Sequence, residues 1–246
     1  MKRSLNELRG YDIQSTDDTK GKVKDFLFDE DSWVIRYLEV DLGIRSGRKL
    51  LIPKIFFKEP DWSNQRFPVE LKNIEKGPGL EGNLSVSRKY EQELNKYFKI
   101  SDYWPYIYSS PIGAPGITYP PRPVRVPSKV IDEKKLDTSL RSFLEIKGYH
   151  IKAIDGKIGH IEDIIIDDMD WQIVYAVIDT GNWLPWSKKV LIATHAMDVI
   201  SYVDQEITIN LHIETIRSAP AFDPSEPINE EYEKRLYDYL GRPAGL

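Results

Sequence analysis

The sequence predicts a mainly β protein: two small β-barrels, each followed by a short C-terminal helix, joined by a Pro/Tyr-rich segment. Three observations carry this. Residues 10–53 and 148–193 repeat one another, at a constant offset of 138 from Gly10 to Gly43 and then across an insert. Short apolar runs alternate with turn residues and leave no room for intervening helices. Helical spacing of apolar side chains ends each half. The repeat is the strongest of the three. Gly10 pairs with Gly148, Tyr11 with Tyr149, Gly21 with Gly159, Asp25 with Asp163 and Trp33 with Trp171; the register continues through Tyr37 and Tyr175, Asp41 and Asp179, Gly43 and Gly181. Rare residue types held in one register mark a copied unit, and a copied unit dictates the architecture.

The first copy, with its closing helix, is placed at 1–98. A short extended stretch at Tyr11–Ile13 leads through a polar turn to Gly21, and an apolar run from Val23 to Phe28 forms the next strand. Asp29, Glu30, Asp31 and Ser32 make a tight turn before Trp33–Asp41, so the two strands read as a hairpin. Leu50–Ile52 is a third strand, stopped by Pro53, which cannot donate to a ladder. A further strand is expected at Arg66–Leu71. Closure into a barrel is the usual way a small sheet of this kind avoids open edges. Tyr90, Leu94 and Tyr97 then recur at helical spacing within Val86–Phe98, with Ser85 or Ser87 as its cap.

Residues 99–129 interrupt the pattern with seven prolines and five aromatic residues, a density that forbids a regular helix or a central strand. The aromatic content favours an extended strap packed on the barrels over a mobile linker or a polyproline segment presented to a partner. The second copy is placed at 130–246, with strands at Ile151–Ala153, Ile158–Ile166, Trp171–Asp179 and Val190–Ala193 and a last alternation at Ile207, Ile209 and Leu211. Between the third and fourth of these an insert carries Trp183 and Trp186 beside Pro185. Pro220 precedes Tyr232 by twelve residues, as Pro78 precedes Tyr90, so the closing helix was duplicated with its barrel at an offset of 142.

The bulk composition bounds the function classes. A chain of 246 residues with 41% hydrophobic and 30% charged residues is an ordinary globule, and a net charge of -5 disfavours broad binding to nucleic acid or anionic membrane. The absence of cysteine excludes disulfides, thiolate metal sites and a cysteine nucleophile. The N-terminal MKRSLNELRG has no apolar h-region, and no run approaches the roughly 18 apolar residues of a membrane helix. A soluble, cytoplasmic protein is expected.

The Gly-Tyr start, the Gly-x-Val/Ile-x-Asp element, the Tyr-x-x-x-Asp strand and the ending ITINLHIETIRSAPAFDPSEP together resemble the PRC-barrel family. The ending is fullest in copy 2, at Leu211, Glu214, Ile216, Ala219, Pro220, Phe222 and Pro224; in copy 1 it keeps Leu71, Ile74 and Pro78. The family takes its name from the cytoplasmic β-domain of the photosynthetic reaction centre H subunit. The resemblance implies two PRC-like barrels used for binding or assembly, without a conserved catalytic apparatus.

Chemistry-bearing residues point the same way. His150, His160, His195 and His212 share no ligand spacing, and His160 and His150 fall where copy 1 has Lys22 and Asp12, as variable surface positions do. The turns Asp29-Glu30-Asp31 and Asp167-Asp168-Asp170 concentrate carboxylates, but Asp is foremost a turn former. Asp25, Asp163, Asp41 and Asp179 recur in both copies, which assigns them a role in the fold, pairing across the sheet or accepting backbone N–H groups. No phosphate-binding or dinucleotide motif occurs, and Gly77, Gly79 and Gly82 form a loop. No catalytic residue, metal site or cofactor is assigned.

The reading is therefore a non-enzymatic tandem protein acting as a protein-interaction or assembly module, with Trp104, Tyr106, Tyr108, Trp183 and Trp186 as its interaction surface. Its partner is a protein or a second copy of itself, as in a dimer; no nucleic acid and no membrane span are expected, and peripheral contact with a membrane complex is allowed. The alternatives are an accessory role in electron transport like that of the H subunit, or an enzyme with its site between the barrels.

Overall fold

The computed structural model describes residues 1–43, 49–80, 86–103, 139–181 and 187–240. Copy 1 runs β1 (Lys2–Ser4), α1 (Leu5–Leu8), β2 (Asp12–Ser15), β3 (Lys20–Asp29), β4 (Val34–Asp41), β5 (Lys49–Pro53), β6 (Arg66–Val69), β7 (Gly79–Leu80) and α2 (Arg88–Phe98). Copy 2 runs β8 (Leu140–Ser142), α3 (Phe143–Ile146), β9 (His150–Ala153), β10 (Gly156–Asp167), β11 (Gln172–Asp179), β12 (Lys189–Ala193), β13 (Met197–Ser201), β14 (Glu206–Ile209), α4 (Ile213–Ser218) and α5 (Glu230–Leu240). The hairpins β3–β4 and β10–β11 fall where the acidic turns place them. Strands β1, β8, β13 and β7 were not expected, the last taking in Gly79, which was expected in a loop. The first two have three residues each, too few to show a period, and both pair outside their own copy.

The long hairpin strands change character midway. In β3, Lys20, Lys22 and Lys24 are exposed, whereas Asp25 to Asp29 are buried on both faces. Phe26 and Phe28 enter the main core. Leu27 points the other way, into a smaller cluster with Tyr37, Leu51 and Leu94 beneath α2. Copy 2 repeats this: Ile164 and Ile166 face the main core, and Ile165 packs with Tyr175, Leu191 and Leu236 beneath α5. The consecutive apolar run is what a strand covered on both faces requires.

The expectation of two closed barrels is wrong. Among the described residues the ladders form a single 14-stranded sheet, whose main path runs β13-β14-β9-β10-β11-β4-β3-β2-β6 with β1, β5, β7, β8 and β12 paired alongside it, and the two ends of that path do not pair with each other. The reason lies in the second halves of β3 and β10. After β2 ends, β3 pairs with β8 from copy 2 (Leu27 opposite Ser142, Asp29 opposite Leu140). After β9 ends, β10 pairs with β1 from copy 1 (Lys2 opposite Asp167, Ser4 opposite Ile165). Edges that closure would have removed within one copy are covered instead by the other copy's leading strand.

The hairpin tips complete the exchange. Trp33 and Trp171 take left-handed backbone conformations at φ 55° and 65°, an unusual state for a bulky side chain. Their N–H groups close the turns on the carbonyls of Asp29 (2.7 Å) and Asp167 (2.9 Å). Their own carbonyls then accept from the opposite copy, Trp171 from the Ile35 N–H at 3.0 Å and Trp33 from the Ile173 N–H at 2.7 Å. This reciprocal pair joins β4 to β11 and relates the copies by an approximate two-fold. One core spans both: Phe26, Phe28 and Trp33 belong to the same buried cluster as Ile164, Ile166 and Trp171.

Candidate interaction surface and the junction between the copies

Trp104, Tyr106, Tyr108, Trp183 and Trp186 lie outside the described residues. The described chain does fix the start of the middle segment. The Tyr103 hydroxyl donates to Glu91 Oε2 at 3.0 Å, and the Arg36 guanidinium lies 4.4 Å from the Tyr103 ring centroid. Glu91 is fully buried, and the Tyr37 hydroxyl reaches the same oxygen at 3.4 Å. In copy 2 the Tyr175 hydroxyl donates to Glu233 at 2.8 Å and meets the Tyr237 hydroxyl at 2.9 Å. The second tyrosine of the pair thus comes from the connecting segment in one copy and from the closing helix in the other. The twelve-residue spacing also has a cause: the Tyr90 hydroxyl donates to the Pro78 carbonyl at 2.9 Å, and that of Tyr232 to Pro220 at 3.2 Å.

The recurring aspartates hold the exchanged segments. Asp25 Oδ1 accepts from the N–H groups of Phe26 (2.8 Å) and Leu144 (3.1 Å), and its Oδ2 accepts from the Ser142 hydroxyl. Asp163 Oδ1 accepts from Ile164 (2.7 Å) and Asn6 (3.1 Å), and its Oδ2 from the Ser4 hydroxyl. Ser4 and Ser142 are themselves N-caps, accepting from Glu7 N–H and Glu145 N–H. Each short helix is therefore capped by its own serine and anchored by the other copy's buried carboxylate. Burial pushes the Asp25 carboxyl up to about 6 against the pull of these donors, and raises Asp163 likewise. Asp41 and Asp179 instead finish their strands, each accepting the N–H two residues on, from Gly43 and Gly181, at 2.8 Å.

The acidic turns are sockets for arginine. Arg141 forks onto Glu30, with Nε to Oε2 at 2.6 Å, and lies 4.5 Å from the Tyr202 ring centroid. Arg3 Nε donates to Asp168 Oδ2 at 2.6 Å and lies 3.5 Å from the Trp62 ring centroid. Lys2 pairs with Asp167 at 2.7 Å, and the Ser139 hydroxyl donates to Asp29 at 2.9 Å. Burial raises the Glu30 carboxyl to about 7 even beside Arg141. Sequence reasoning missed these partners, although Arg3-Ser4 and Arg141-Ser142 stand at the same offset of 138 just upstream of the repeat's Gly-Tyr start. One reading is corrected: His160, expected at the surface, is 1% exposed, while His150, His195 and His212 are exposed.

The space between the copies holds packed rings. Trp171 lies 6.4, 5.1 and 5.6 Å from the centroids of Phe26, Phe57 and Phe67. A cavity of about 140 Å³ lies beneath α5, lined by Ile192, His195, Asn210, Leu236, Tyr237 and neighbours, all from copy 2. No helix among the described residues is long and apolar enough to cross a membrane.

The duplicated hairpin and the repeated Asp sockets agree with a comparison to protein families. The family described as PRC-barrel domain matches residues 2–62 and 144–214, together more than half of the chain. The chain belongs to the PRC-barrel family. It is a tandem PRC-barrel protein, and the family is a non-catalytic module for protein interaction and assembly. A comparison with curated proteins finds no match.

Proposed function

We infer that this tandem PRC-barrel protein binds a protein partner through the aromatic surface outside its internal junction. The observation that carries the reading is the reciprocal docking of β1–α1 and β8–α3. The PRC unit is a socket for a short strand and a capped helix, and here both sockets are filled by the chain itself. The junction is already satisfied internally, which favours a different partner over a second copy of the chain. Trp104, Tyr106, Tyr108, Trp183 and Trp186 are then the surface offered, since large aromatics anchor interfaces. The fixing of Tyr103 on Glu91 supports a segment that leaves the first copy as a packed strap.

The division into 1–98, 99–129 and 130–246 belongs to the same proposal as the inherited units, each now folded with a piece of the other. A cytoplasmic location and peripheral contact with a membrane complex, as for the H subunit, are the settings it favours. The test is a pull-down from the native cell with the wild-type chain and a Trp183→Ala/Trp186→Ala variant. Loss of the major bound species with unchanged thermal stability is expected. An identical bound set would remove the tryptophan loop from the interface.

A further inference from the structure

The outer end of the copy 2 hairpin carries metal-ligating side chains where copy 1 carries lysines. His160 stands opposite Asp179 in the β10–β11 ladder, and Glu162 sits two residues further along β10, at the bulge between Ile161 and Asp163. Residues i and i+2 of a strand share a face, so the three side chains converge on one corner. One ligand atom from each of His160, Glu162 and Asp179 lies within 4.8 Å of the other two.

The corresponding copy 1 residues are Lys22, Lys24 and Asp41. There the retained aspartate meets the chain's own cation, Lys24 Nζ at 3.5 Å, while Lys22 pairs with Asp12 at 2.9 Å. Copy 2 has exchanged both ammonium groups for an imidazole and a further carboxylate. Lys189, which stands where copy 1 has Lys49, lies 3.0 Å from Glu162 Oε1, and Glu162 Oε2 faces His160 Nε2 at 3.8 Å. Asp179 is oriented by Gly181 N–H on Oδ1 and the Ser187 hydroxyl on Oδ2, both at 2.8 Å. Such outer bonds hold a ligating carboxylate in place and leave it lone pairs to donate. His160 and Asp179 are buried and Glu162 is half-buried, which gives an ion an approach from solvent past Glu162.

We propose that His160, Glu162 and Asp179 form a Zn2+ site. One imidazole nitrogen and two carboxylate oxygens suit zinc, with water in the remaining position, whereas Ca2+ and Mg2+ prefer oxygen alone. Ligand atoms about 3.3 Å apart complete a tetrahedral shell around zinc, so the observed spacing needs only a modest closing of side-chain torsions. The ion would take the place that Lys24 fills in copy 1.

Calorimetric titration of ZnCl2 into the untagged full chain tests this. One zinc bound per chain is expected in the wild type. Glu162→Gln and His160→Ala are each expected to weaken binding roughly tenfold or more, while His212→Ala, at an exposed position, leaves it unchanged. Because Glu162 is half-buried, its amide variant keeps the test decisive even should the His160 variant misfold. Absence of a stoichiometric site, wild-type affinity in Glu162→Gln, or loss of binding in His212→Ala would overturn the proposal.

Discussion

The two copies keep a common set of residues where they touch each other and differ at the open ends of their hairpins. Asp25 and Asp163, Ser4 and Ser142, Arg3 and Arg141, and Trp33 and Trp171 all act across the junction, and all stand at one offset. Lys22 and Lys24 against His160 and Glu162, by contrast, sit toward the open end of the hairpin, beyond the strand that the other copy adds, with Asn6 Nδ2 donating to the Glu162 carbonyl at 3.1 Å. The contact that each copy makes to its twin has been retained, and the free end has been left to diverge. The copies are alike as partners and unlike as surfaces.

The comparison breaks most sharply at the tryptophans. Trp171→Ala is expected to destabilise the chain by about 4 kcal/mol, from the lost ring and the cavity left behind. Trp33→Ala should cost about 1 kcal/mol less, because Trp33 stacks on one ring, Phe28, where Trp171 meets three. Urea denaturation of both variants measures the difference; equal losses would mean that the rings around Trp171 do not set its contribution.

The arginine sockets come next. The Arg141 side chain is 5% exposed and that of Arg3 21% exposed. Removing Arg141 strands a largely buried Glu30, so Arg141→Ala is expected to cost about 2–3 kcal/mol, and Arg3→Ala about 1 kcal/mol. A thermal-denaturation series with both single variants would test the ranking, and a larger loss for Arg3→Ala would reverse it.

The last effect is a pH slope. Burial holds the Asp25 carboxyl at about 6, above its ordinary 3.8. Its proton is bound more tightly in the folded chain, so its contribution to stability is complete below the ordinary value and is lost as pH rises through about 6. Asp25→Asn should flatten the fall in stability between pH 4 and pH 7 by about 2 kcal/mol. Asp163→Asn should flatten it less: Lys147 pulls the Asp163 carboxyl down, whereas Glu39 pushes that of Asp25 up. Denaturant midpoints at several pH values separate the two; an unchanged slope in Asp25→Asn would assign the dependence elsewhere, Glu30 being another raised carboxyl.

Much of this was legible in the chain. The hairpins, the acidic turns, the Ser87 cap and the structural role of the four aspartates follow from local pattern, because turn chemistry and strand alternation act over a few residues. The burial of His160 was not legible. It lies in β10 between Ile158 and Ile166, a run buried throughout except for Glu162, at a position where copy 1 carries the exposed Lys22, so nothing local marks it as covered.

Two copies of one β unit, the positions of their turns and the helix that follows each can be read from local pattern. Which copy each leading strand joins is settled by long-range packing. A three-residue strand has no periodicity to betray its partner, and Ser4 or Ser142 caps its helix equally well beside either copy. The choice is made by the long half of β3 or β10, whose unpaired edge and buried aspartate are met by the segment that the chain's path brings alongside.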